Sequence, residues 1–292
     1  MSTTTRPRLV LVDVDGTLVT YANELPESAL AAVRAARRLG HRVYPATGRS
    51  KAEMPGWITD IGFDGVVCAN GAYVEHEGTV VMHQCLSRQD CAALVDWLRA
   101  RDLPFYLEAN SGLYPSPGFR QAALPAIRAY LAGGDGALPQ PDLGPQDVDE
   151  VLHGLIDTDE LVREDVNKIS YVLSGPEDLD AARTTFSHLR HGSWGGRGHD
   201  ALFGDVGVTE VSKEHALTVL ADHLGVRLED TICLGDASVD IGMLRLGGVG
   251  VAMGNASPEV KAAADLVTAA VEDDGLARAF ELLGLLDEPG GT

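Results

Sequence analysis

Short apolar runs that stop abruptly at acidic or glycine-bearing turns, with helical stretches between them, constrain this chain more than any other feature. Residues 8–14 (RLVLVDV) form the first run and end in Asp15-Gly16. A run this short and this continuously apolar suits a strand covered on both faces, as in a parallel sheet. Residues 26–39 follow with helical spacing, and Gly40 stands where a helix C-cap is expected. Residues 41–46 and 65–69 (GVVCA) predict two further strands. The pattern returns near the end, with a helix over 213–224, strands over 231–234 (TICL) and 248–253 (GVGVAM), and an edge strand over 265–268. Alternation of this kind predicts an α/β fold with a doubly wound, Rossmann-like parallel-sheet core.

The middle of the chain breaks the alternation. Residues 87–101 read as a helix, 168–173 as a strand, 177–189 as a helix and 193–208 as a hairpin. Residues 110–145, rich in Gly and Pro, read as a series of turns. The division expected is a core domain of residues 1–84 plus 208–292 and an inserted α/β cap domain of residues 85–207.

Polar motifs sit where the core strands end. They are Asp13-Val14-Asp15-Gly16-Thr17, Ala46-Thr47-Gly48-Arg49, Lys213 at a helix start, and Gly235-Asp236 with Asp240 beyond. Open parallel sheets bind ligands beyond the carboxyl ends of their strands, so these motifs are expected in one cleft. Asp13, Asp15 and Asp236 would crowd there. At about 4 Å and an effective dielectric of about 20, each like-charged pair costs roughly 4 kcal/mol. A hard divalent cation with oxygen ligands relieves that cost, and Mg²⁺ is the usual choice beside a phosphate. Arg49 or Lys213 would hold remaining phosphate charge, Thr47 offers a hydroxyl, and Gly48 lets a backbone N–H come close.

These motifs together resemble the haloacid dehalogenase superfamily. Asn70-Gly71-Ala72 and residues 251–256 (VAMGNA) narrow the resemblance to the Cof-like phosphatases, which carry a large α/β cap between the second and third motifs. The resemblance implies a Mg²⁺-dependent phosphatase acting on a small phosphorylated metabolite through an aspartyl-phosphate. It implies Asp13 as nucleophile and metal ligand. Asp15 becomes the general acid and then base, with its main-chain carbonyl on the metal. Thr47 binds phosphate, Arg49 shapes the site, Lys213 bridges phosphate and Asp13, Asp236 ligates metal, and Asp240 orients the metal's waters. Members that are dehalogenases or P-type ATPases lack the second aspartate, so Asp15 favours phosphatases and phosphomutases. A phosphomutase on the same fold is the first alternative, and a binding or regulatory protein with a dead site is the second. The chain departs from the family's usual GDxxND in having GDASVD, with Val239 in place of an Asn that often touches the phosphate.

Each motif also has a plainer reading. Lys213 alone is an ordinary solvated helix residue, and Asp240 alone complements a helix dipole. Asn70 and Asn255, each beside a Gly, read as turn formers rather than site residues.

A formal net charge of −20 argues against nucleic acid and anionic membrane surfaces as partners. No apolar stretch of 18 residues or more exists, and residues 1–8 contain no apolar signal core. Of the four cysteines, Cys68 and Cys233 lie in apolar runs. Cys85 and Cys91 have the spacing to pair, but a reduced cytoplasm is the simpler expectation.

Overall fold

A computed structural model describes residues 6–132, 142–195 and 201–287. The chain divides into two compact units. One comprises residues 1–48, 56–83 and 211–292, and the other residues 49–55 and 84–210. Residues 49–55, left with the core in the sequence reading, thus cluster with the second unit.

In chain order, β1 (Leu9–Val12), β2 (Arg42–Pro45), β3 (Gly65–Cys68), β4 (Tyr73–His76) and β5 (Thr79–His83) come first. The second unit holds β6 (Phe105–Ala109), β7 (Gly112–Pro115), β8 (Val166–Val172), β9 (Arg190–Trp194) and β10 (Phe203–Gly207). The chain then returns to the first unit for β11 (Thr231–Gly235), β12 (Val249–Ala252) and β13 (Leu266–Val267).

The first unit is built on a parallel sheet ordered β13-β12-β11-β1-β2. Strand β1, flanked by β11 and β2, is fully buried along its length. This explains the unbroken LVLV: a strand flanked on both edges and packed on both faces has no position for a polar side chain. Helix Glu27–Arg38 buries Ala29, Ala32, Val33 and Ala36 along one stripe. Helix Lys213–Leu224 buries Ala216, Leu217, Leu220 and Ala221, which join Leu9, Leu11 and Cys233 in one apolar cluster. Strands β3, β4 and β5 form an antiparallel sheet, joined to the main one by a bridge between Ala46 and Val67.

The second unit is an antiparallel sheet ordered β7-β6-β8-β10-β9. Phe105, Leu107, Ile169, Tyr171 and Val206 point to one face, where helices Arg88–Ala100 and Pro176–Thr185 cover them. Tyr106 and Phe203 point to the other, where helix Phe119–Leu131 covers part of the sheet. That helix runs through residues read from sequence as turns. Pro125 in its interior removes one helical hydrogen bond, and a proline is an ordinary breaking signal. Burial of Phe119, Ala123, Leu124 and Ile127 on one stripe outweighs it. The expected hairpin is the β9–β10 pair, whose connecting residues 196–200 lie outside the described residues.

Candidate active site

The site of the first unit is assembled where its parallel strands run out. Asp13 follows β1 directly, and its N–H donates to Leu234 O of the neighbouring strand at 2.9 Å. Asp236 follows β11 in the same way. Both residues are buried, at 5% exposure each.

Lys213 is the first residue of its helix and is 1% exposed. A cation at a helix N-terminus opposes the helix dipole, and burial strips its hydration. Two carboxylates compensate: Lys213 Nζ donates to Asp13 Oδ1 at 2.5 Å and to Asp240 Oδ1 at 2.6 Å. Burial works against the charge on Lys213, and the pull of Asp13 and Asp240 outweighs it, so its ammonium is held above the usual lysine range. Burial, followed by the like charge of Asp240, pushes the Asp13 carboxyl well above the usual carboxylate range, with Lys213 opposing.

Both oxygens of Asp240 are engaged in scaffolding. Its Oδ2 accepts from the N–H groups of Asp236 and Ala237 at 3.1 and 3.0 Å, and its Oδ1 takes Lys213. It therefore fixes both the turn after β11 and the ammonium. Asp236 is fixed as tightly. Its Oδ1 accepts from Thr17 Oγ1 at 2.9 Å, and its Oδ2 accepts from Asn255 Nδ2 at 3.2 Å and from the hydroxyl of Tyr21. Asn255 also donates to Gly16 O at 2.9 Å and accepts from Val271 N at 3.1 Å. Burial raises the Asp236 carboxyl above its usual range against these hydrogen bonds from Tyr21 and Thr17.

Two glycines make the assembly possible. Gly16 has φ +91°, and a Cβ there would stand 2.4 Å from Asp236 Oδ2. Gly71 has φ +103°, and a Cβ there would stand 2.2 Å from Ser212 O, next to Lys213. Each position needs both the left-handed backbone and the missing side chain.

Among the described residues, the trio of metal-binding types that lies together is Asp13, Asp236 and Asp240, each offering an oxygen within 4.8 Å of the others. The crowding expected of Asp13, Asp15 and Asp236 is thus taken up by Asp240 in place of Asp15. Asp15 is half-buried and contributes least of the neighbouring carboxylates to the Asp13 shift. Thr47 is fully buried beyond β2, where its carbonyl accepts from Asn70 N at 2.9 Å. Gly48 faces the Asn70 side chain, whose Oδ1 would be 3.1 Å from a Cβ at that position. Arg49 is half-buried and belongs by its contacts to the second unit. Val239 is 47% exposed in the turn Ser238–Asp240.

Sequence reasoning missed three residues. Thr17 lay inside a recognised motif without a role, Asn255 was read as a turn former, and nothing marked Tyr21. Asn70 does form a turn, at φ 55°. The four cysteines are all free thiols.

A family profile described as haloacid dehalogenase-like hydrolase matches residues 10–280. Phosphatase YwpJ of Bacillus subtilis (strain 168) is 26% identical over 94% of this chain and 99% of its own. Pyridoxal phosphate phosphatase YbhA of Escherichia coli (strain K12) is 26% identical over 93% of this chain and 96% of its own. Among solved structures, the subclass IIB sugar phosphatase BT4131 superposes with a TM-score of 0.73 at 25% identity, covering 95% of this chain and 99% of that one.

Proposed function

The chain belongs to the haloacid dehalogenase-like hydrolases, and we propose that it is a magnesium-dependent phosphatase of the Cof type that hydrolyses a small phosphomonoester through an aspartyl-phosphate on Asp13. The observation that carries this reading is the buried ammonium of Lys213, held between Asp13 and Asp240 at 2.5 and 2.6 Å. A nucleophilic carboxylate needs a fixed orientation and a partner for the negative charge it attacks, and this arrangement supplies both.

In the first step an Asp13 carboxylate oxygen attacks phosphorus. The bond from phosphorus to the leaving oxygen breaks, and Asp15 gives that oxygen its proton. In the second step Asp15 takes a proton from water as the water oxygen attacks phosphorus. The bond to Asp13 breaks, releasing inorganic phosphate and restoring both carboxyl groups. Thr47, Gly48, Arg49 and Lys213 would hold the phosphoryl oxygens.

The donor set suits a hard cation. Asp13 and Asp236 offer buried carboxylate oxygens, and the main-chain carbonyl of Asp15 would add a third. When bound, Mg²⁺ would offset the repulsion between the attacking carboxylate and the phosphoryl oxygens. Asp240, with both oxygens engaged, would position Lys213 and the Asp236 turn.

Substrate choice is assigned to the second unit, because neither residue of the two chemical steps lies in it. A sugar phosphate or similar metabolite fits the names of BT4131 and YbhA. Four free thiols support a reducing compartment such as the cytoplasm. The net charge of −20 supports a small-molecule partner over nucleic acid or an anionic membrane, and no helix among the described residues is long and apolar enough to cross one.

Phosphate release from a panel of phosphomonoesters tests the reading. Release should require Mg²⁺ and stop in excess chelator. Asp13→Asn should keep the fold and lose at least roughly 10³-fold in turnover. Near-normal turnover by Asp13→Asn would remove the covalent mechanism. Transfer of the phosphoryl group back to substrate without phosphate release would make the enzyme a mutase.

A further inference from the structure

Tyr21 is 67% exposed, yet its hydroxyl donates to Asp236, a residue at 5% exposure. It sits second in a tight turn over residues 20–23, closed by Asn23 N on Thr20 O at 2.9 Å. The turn tips a small loop whose base is the Gly16 N bond to Val19 O at 2.8 Å and the bridge between Asp15 and Val19. The ring reaches back across Gly16: a Cβ at residue 16 would be 2.7 Å from Tyr21 Cζ and 2.4 Å from Asp236 Oδ2. The oxygen that Tyr21 holds therefore lies against Gly16, the residue after Asp15.

A carboxylate oxygen has two lone pairs in its plane. On Asp236 Oδ2 both are taken, one by Tyr21 and one by Asn255 Nδ2 at 3.2 Å. For that oxygen to ligate a cation, one donor must leave. Asn255 is tied elsewhere, to Gly16 O at 2.9 Å and Val271 N at 3.1 Å. Tyr21 rides on an exposed turn, and its hydroxyl bond is the polar tie the ring makes to the site.

We infer that Tyr21 is a displaceable occupant of the cation-facing oxygen of Asp236, so that its hydroxyl must release Oδ2 before that oxygen can ligate Mg²⁺. This rests on the reading of Asp236 as a metal ligand. Tyr21 then has two effects. It lowers cation affinity by the strength of one hydrogen bond, and it couples occupancy of the site to the position of the turn over residues 20–23. Without a cation, it keeps the Asp236 carboxylate in place.

Direct binding of Mg²⁺ to the full chain, without substrate, tests this by titration calorimetry on the wild type and Tyr21→Phe. A net hydrogen bond corresponds to roughly a three- to tenfold tighter dissociation constant for Tyr21→Phe. In protein labelled with 3-fluorotyrosine, the ¹⁹F resonance absent from Tyr21→Phe should shift in the wild type as Mg²⁺ saturates. Equal or weaker affinity in Tyr21→Phe, or a Tyr21 resonance unmoved by bound Mg²⁺, overturns the inference alone. A wild type that binds no Mg²⁺ overturns the metal reading and this inference together.

Discussion

Both units bury charged side chains on a sheet, and they treat those charges in opposite ways. In the first unit Asp13, Lys213, Asp236 and Asp240 are each at 5% exposure or less, and Lys213 and the oxygens of Asp236 and Asp240 all have named partners. In the second, alternation along the strands sets Glu108, Lys168, Ser170, Asp205 and Arg190 on one sheet face. Glu108 and Lys168 oppose each other in register, with Lys168 Nζ 3.1 Å from Glu108 Oε2. Yet Asp205 Oδ1, Arg190 Nε and Trp194 Nε1 are buried without a hydrogen-bond partner among the described residues. Fully satisfied buried networks rigidify and specify one arrangement, while an unpaired buried polar group is costly. The buried charges of the first unit are thus held in one geometry. The second leaves some of its buried polar atoms without a partner among the described residues.

The largest expected effect breaks the saturated network. Lys213→Met leaves Asp13 and Asp240 buried together without their shared cation. Removing one partner of a buried pair costs about 3–5 kcal/mol, and urea denaturation should read a loss of that size together with loss of turnover. Lys168→Met should cost less. Lys168 is 9% exposed and its ammonium lies 3.1 Å from Glu108, whereas Lys213 is 1% exposed and holds two carboxylates at 2.5 and 2.6 Å. Lys168→Met should also re-rank a panel of phosphomonoesters while leaving inhibition by inorganic phosphate nearly unchanged. If the two variants lose the same stability and the same fraction of every substrate's turnover, the contrast between the units is wrong.

The same contrast governs what could be read in the sequence. Asp13, Lys213, Asp236 and Asp240 were legible because each stands at the end of a buried strand or the start of a helix. Order along the chain then fixes where such residues go. Asn255 and Tyr21 were not, because what identifies them is a hydrogen bond to Asp236, 19 and 215 residues away. The core strands announced themselves as unbroken apolar runs. Strand β6 did not, since Glu108 interrupts FYLEA for a partner on β8 that lies 60 residues later. Helix Phe119–Leu131 was hidden by Pro125, a local signal that the packing of the opposite sheet face overrides. Local chemistry was therefore readable in the first unit. In the second unit, pairing between distant strands decides the structure.

The smallest expected effect concerns the pH dependence of the second unit's buried pair. The Glu108 carboxyl is raised above its ordinary value of 4.5, first by burial and next by the charge of Glu53, with Lys168 and Ser170 opposing. A carboxyl raised in the folded state binds its proton more tightly there than in the unfolded chain. Its contribution to stability is then fully present below pH 4.5 and is lost as pH rises through the folded value. Lys168 is also raised, but the window it opens begins above its ordinary value of 10.5, so it does not tilt the curve near neutrality. Glu108→Gln keeps the shape of the side chain and removes the titration. The difference in unfolding free energy, variant minus wild type, should therefore become more favourable to the variant as pH rises from 5 to 8. Urea midpoints of both proteins at several pH values check this. A difference that stays flat, or that turns against the variant with rising pH, would mean that Lys168 holds Glu108 ionised across the range. The buried face would then be as saturated electrostatically as the site of the first unit.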